Sequence, residues 1–131
     1  MATNPSFIAT PRIGVGSVST ANTNRDGTGT IVDVITGAAT GTRILEVVLK
    51  SDGDPADCTV VLYLYDGSNS IVFDEIDLGN PAAGSTTVAS YRSTVTYSNL
   101  VLPSTSWKLQ ASITVAPTAG TVKVWALGGD L

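Results

Sequence analysis

Few side chains in this sequence could do chemistry. There is no histidine, which removes the commonest general base and the commonest transition-metal ligand. One cysteine, Cys58, leaves neither an internal disulfide nor a thiolate zinc site available. What remains is eleven carboxylates and many small hydroxyls. The densest acidic group is Asp52, Asp54 and Asp57. Oxygen ligands of this kind hold calcium, but the EF-hand spacing and its closing glutamate are missing, so a solvated loop is the plainer reading. Asp74, Glu75 and Asp77 alternate along an extended segment, with Asp74 and Glu75 on opposite faces. That pattern suits an edge strand kept soluble rather than the paired carboxylates of a glycosidase. Cys58 opens an apolar run and reads as a small packed hydrophobe, not a nucleophile. The stretch Asn22-Thr23-Asn24-Arg25-Asp26-Gly27-Thr28-Gly29 is polar and glycine-rich, yet it lacks the Walker lysine and a following helix, so it is no phosphate cradle. These residues imply no enzyme, no catalytic residue, no metal and no cofactor.

The elements that position them follow from composition and period. The 131 residues suit a single domain. Only 14% are charged, against about 25% in an ordinary soluble domain, while 43% are hydrophobic. The polar surface must therefore come from 18 Thr, 13 Ser and 13 Gly. High apolar content with a net charge of −4 excludes intrinsic disorder. Seven scattered Lys and Arg, with a pI near 4.4, argue against a nucleic-acid partner. No basic start leads into a signal-peptide core, and the longest apolar run, 60–65, is far short of the roughly 20 residues of a membrane helix. Neither secretion through a signal peptide nor a membrane partner is expected.

Period-two alternation, rich in Val, Ile, Thr and Tyr, recurs along the chain and predicts eight strands: 12–20, 30–35, 43–51, 58–66, 70–78, 87–97, 106–116 and 121–127. Ile13 and Val15 share a face. Leu45, Val47 and Leu49 are expected inward, with Glu46 and Lys50 outward. Val60, Leu62 and Leu64 alternate with Val61, Tyr63 and Tyr65, so both faces of that strand should be covered. Trp107, Leu109, Ala111, Ile113 and Val115 form the cleanest stripe. Trp107, Tyr91 and Tyr97 fall in core register, which favours packing over a sugar-binding platform. Tyr63 and Tyr65 face away from Leu62 and Leu64 and are expected at the surface or at a subunit interface. Asp66-Gly67-Ser68-Asn69 reads as a hairpin turn. The expected fold is an all-β, eight-stranded antiparallel jelly-roll sandwich over 12–131, with a fibronectin-like or immunoglobulin-like sandwich as its nearest rival. Residues 1–11 read as an extended arm: Pro5 and Pro11 restrict it, and Phe7 and Ile8 are too apolar for a free tail.

Ile8-Ala9-Thr10-Pro11-Arg12-Ile13-Gly14, the stretch from Thr20 to Thr30, Gly41-Thr42-Arg43-Ile44, Leu64-Tyr65-Asp66-Gly67, Leu100-Val101-Leu102-Pro103 and the ending Ala126-Leu127-Gly128-Gly129-Asp130 together resemble a family of tailed-bacteriophage proteins. These are the small head decoration, or cement, proteins, and the likeness spans nearly the whole chain. It implies a structural virion protein, assembled in the host cytoplasm, that binds the major capsid protein on the outer surface of the head as a homotrimer and stabilises the shell. On that reading Pro5, Phe7, Ile8, Asn24, Arg25 and Asp26 would meet the capsid or a neighbouring subunit, and Tyr63 and Tyr65 would lie at the trimer interface. A receptor-binding or glycan-binding appendage of head or tail is the alternative.

Overall fold

β-branched and aromatic residues at every second position favour extended backbone, and Gly, Asp, Asn and Pro between them break it into strands. The computed structural model describes residues 8–131. Eight strands form, and no helix occurs among the described residues: β1 (Thr10–Val18), β2 (Val32–Thr36), β3 (Thr42–Ser51), β4 (Cys58–Tyr65), β5 (Ser70–Leu78), β6 (Arg92–Leu102), β7 (Lys108–Ile113) and β8 (Val122–Asp130). They build two four-stranded antiparallel sheets, sheet A in the order β1-β8-β3-β6 and sheet B in the order β2-β7-β4-β5. Only the β4–β5 hairpin stays within one sheet; every other connection crosses to the opposite layer. This order matches a jelly roll of interlocking Greek keys. The hairpin turn is where the sequence places it, with Gly67 at φ 102° and the Asp66 carboxylate accepting the amides of Ser68 and Asn69.

The core between the sheets is built from Ile44, Val47 and Leu49 of β3, Val60 and Leu62 of β4, Leu109, Ala111 and Ile113 of β7, and Val122, Val124 and Ala126 of β8. Tyr91, Val95, Tyr97 and Trp107 close its margins in half-buried positions, as their register suggests. Several details depart from strict alternation. In β1 the inward residues are Gly14, Gly16 and Val18, so Ile13 and Val15 share the outward face. An ideal Cβ at Gly14 would lie 2.4 Å from the Val34 carbonyl oxygen, and one at Gly16 would lie 2.9 Å from that of Asp33. Two side-chain-free positions therefore let β1 close tightly on β2. A bulge between Ile44 and Glu46 turns Ile44 into the core and Leu45 out to solvent, reversing the inward placement expected for Leu45. The sixth strand begins at Arg92, not at residue 87, because Ala82–Tyr91 form a loop tied by Tyr91 N–H to the Ala82 carbonyl. Val115 lies beyond β7 and is exposed.

The strand after the arm begins at Thr10, two residues earlier than expected. Pro11 is tolerated there because β1 is an edge strand. Ala9 N–H already donates to the Asp130 carbonyl, and Ile8 packs over Gly129 of the same chain. Pro5 and Phe7 lie outside the described residues.

Candidate functional site

Each sheet has an outward face, and the two faces are finished differently. The outward face of sheet B is covered by the segment between β1 and β2. Ala21 bridges to Ile113, and the Asn22 amide donates to the Ile113 carbonyl, which lays the segment across β7. Asn22 then organises the loop from within: its Nδ2 donates to the carbonyls of Thr28 (2.9 Å) and Thr30 (3.1 Å), and its Oδ1 accepts the Asn24 amide (3.0 Å). Gly27 and Gly29 sit at φ 88° and 85°, where other residues are strained, and a Cβ at Gly29 would strike the Asn22 side chain. Beneath this loop Tyr63 has no exposed surface, and its hydroxyl donates to the Asn24 carbonyl.

That placement overturns the expectation that Tyr63 is a surface or trimer-interface residue. The aromatic ring is spent inside the subunit, under a loop that alternation alone does not reveal. Val61 is buried on the same face, and Ile76 belongs to the core. Tyr65 is half-buried, with its hydroxyl donating to the Gly67 carbonyl and Lys108 Nζ 5.7 Å from its ring centre. Asn24, Arg25 and Asp26 are exposed together at the loop's crest. Arg25 Nε is paired with Glu75 of β5, and the Asp26 carboxylate accepts the hydroxyl and amide of Thr28, which hold it below the usual carboxylate range. The crest is thus a fixed surface feature. An open groove of about 470 Å³ runs beside it, lined by Arg25, Asp26 and Asn69–Val72.

Nothing among the described residues covers the outward face of sheet A. Register places Val15 beside Trp125, Trp125 beside Val48, and Ile13 beside Leu127. Ile13 is 69% exposed, Val15 47%, Leu45 42% and Val101 39%, so an apolar stripe crosses the sheet in the open. At one end of it, Lys50 stands directly opposite Lys123 on one side and Arg92 on the other. Like charges set opposite one another across strands are destabilising. Arg43 lies on the same face at the other end, beside Val101. Four of the seven cations thus share this face with Glu46, and Asp52 meets Lys123 at its margin. Among the described residues, Arg43, Lys50 and Arg92 have no carboxylate within salt-bridge distance, whereas Arg12, Arg25, Lys108 and Lys123 are paired with Asp130, Glu75, Asp33 and Asp52. The rest of the chain carries the other nine carboxylates against three cations. No periodicity links residues 43, 50, 92 and 123, so only the strand order reveals their company.

The remaining titratable groups are occupied structurally. Asp52 accepts the amide and hydroxyl of Thr121, which lower its pKa, while Asp57 accepts the Asn80 amide. Among the described residues no three of Cys, Asp and Glu converge as metal ligands. Cys58 is half-buried against the core, and burial pushes its thiol pKa up, away from the reactive thiolate. Tyr97 on β6 donates to Asp74 on β5 at 2.8 Å, clasping the two sheets at their open side. A cavity of about 40 Å³ beside the buried Ser112 hydroxyl is too small for an organic ligand. No protein-family model matches the chain, and no curated protein is similar to it.

Proposed function

We propose that this chain is a structural virion protein: a decoration, or cement, protein that binds the major capsid protein on the outside of a tailed-phage head as a homotrimer and stabilises the shell. The observation that carries the reading is the outward face of sheet A. A sandwich whose opposite face is sealed by its own loop has no internal use for an open stripe containing Ile13, Val15 and Leu127. Apolar patches of this kind mark contacts with a neighbouring protein. The sequence likeness from Ile8 to Asp130 supplies the nature of the assembly. The fold suits the task, since a two-layer core with its β1–β2 loop tied down by Asn22 leaves little backbone free for unfolding and proteolysis outside the cell. Three-fold association would couple three weak capsid contacts into one durable attachment. The contacts with the shell fall to the arm that contains Pro5 and Phe7 and to the crest at Asn24–Asp26, while sheet A serves the neighbouring subunit.

The test is stoichiometry on purified virions. Quantitative mass spectrometry is expected to give a capsid-scale copy number, and heads stripped of the protein should release DNA at a lower temperature. A handful of copies per particle would instead make the chain a tail appendage. Absence from the particle would overturn the reading.

A further inference from the structure

We propose that the outward face of sheet A docks onto the acidic β5 edge of a second copy of this chain, head to tail. The two surfaces are complementary in both charge and apolarity. The face carries Arg43, Lys50, Arg92 and Lys123 against Glu46 and the Asp52 that pairs with Lys123, around its apolar stripe. The β5 edge carries Asp57, Asp74, Glu75 and Asp77 against Arg25, around exposed Ile71 (58%) and Phe73 (39%). With Asp52 counted beside Lys123, the face has two net positive charges and the edge three net negative ones, each set framing exposed apolar side chains. That is the anatomy of an interface, with an apolar centre and a charged rim.

The unfavourable Lys123–Lys50–Arg92 row gains a purpose under this arrangement, because carboxylates from the neighbour relieve it. β5 is also an edge strand, with a neighbouring strand on one side only. Face-to-face pairing of two sheet A surfaces would set the cationic rows against each other, so a two-fold dimer is disfavoured. A head-to-tail contact leaves each copy one free face and one free edge, and it closes only as a ring. The proposal rests on the self-association in the function proposed above, and it stands whether or not that assembly sits on a capsid.

The experiment uses three full-length chains in solution, without particles. One is unaltered, one carries Lys50→Glu with Arg92→Glu, and one carries Asp57→Lys with Asp77→Lys. Sedimentation and native mass spectrometry should show a discrete oligomer larger than a dimer for the unaltered chain, dissociating as salt is raised. Each doubly reversed chain should be monomeric alone, since its face and edge now share a sign. Mixing the two should restore association through the unlike contacts, as a heterodimer or larger assembly containing both chains, which also shows that both variants fold. A monomeric unaltered chain at every concentration would overturn the proposal. So would assembly of the Asp57→Lys, Asp77→Lys chain by itself, which would indicate face-to-face pairing, or failure of the mixture to reassemble. Self-association of this kind by a chain that is absent from purified virions would count against the decoration reading alone.

Discussion

Asn22 holds the loop over sheet B, and its replacement by alanine should release that loop. The side chain is 5% exposed and makes three hydrogen bonds: two as donor to the Thr28 and Thr30 carbonyls, one as acceptor from the Asn24 amide. Each is worth about 0.5–1.5 kcal/mol net, so Asn22→Ala should cost roughly 1.5–4.5 kcal/mol. In a chain of this length that corresponds to a fall in Tm of about 3–5 °C per kcal/mol. The loss is local before it is global. Trypsin should gain access to the bond after Arg25, and amides 22–30 should exchange quickly while those of β4 stay protected. Asn22→Asp should be worse than alanine, because a carboxylate would face two carbonyl oxygens where an amide donates. Asn24→Ala loses only one exposed side-chain bond, to Thr28, and should stay within about 0.5 kcal/mol. If Asn22→Ala melts with the parent and Arg25 remains protected from trypsin, the loop is held by something other than this asparagine, and the reasoning fails.

Further outcomes follow from other parts of the sandwich. Burial and the adjacent Asp74 raise the Tyr97 pKa above the ordinary phenol value, so the folded state keeps its proton while the unfolded chain loses it. The resulting stability is intact below about pH 10 and is lost as pH rises beyond that; alkaline denaturation of Tyr97→Phe should lack this component. The Arg12 hydrogen bond, helped by Thr42, lowers the Asp130 pKa. Its contribution is present above about pH 4 and fades as acid protonates the folded carboxylate, so Asp130→Asn should flatten the acid limb of the pH–Tm curve. Gly14→Val places a branched side chain against the Val34 carbonyl and should cost at least about 1–3 kcal/mol by chemical denaturation. Deleting residues 2–7, which precede the first β1 pairing, should leave the melting curve unchanged and reduce occupancy on heads; full occupancy would remove the arm as an anchor.

Strand count and sheet class could be read from the chain because period-two burial is a local signal. β8 shows it plainly: Val122, Val124 and Ala126 lose their surface while Lys123, Trp125 and Leu127 between and beyond them keep part of theirs. The signal fails where burial is decided by something distant. At β1 the apolar residues face outward because inward space is set by the approach of β2, which only Gly14 and Gly16 permit. At Leu45 one extra residue in the ladder reverses the face, and nothing within the strand announces a bulge. Tyr63 looks like a surface aromatic until a loop from forty residues earlier is laid across it.

The same division explains why so much of the site escaped the sequence. A loop sealed onto sheet B is encoded by a single buried amide, Asn22, and by two glycines with positive φ, a pattern that also reads as an ordinary polar linker. The charged face is subtler still. Arg43 and Lys50 come from one strand, Arg92 and Lys123 from two others, and each alone is an unremarkable surface cation. Only the order β8-β3-β6 sets Lys123, Lys50 and Arg92 abreast, and only the absence of neighbouring carboxylates leaves most of that charge uncompensated. Topology therefore does what spacing cannot. It separates the cations onto one open face while the carboxylates gather elsewhere, giving an acidic protein a basic side by which a neighbour can be oriented.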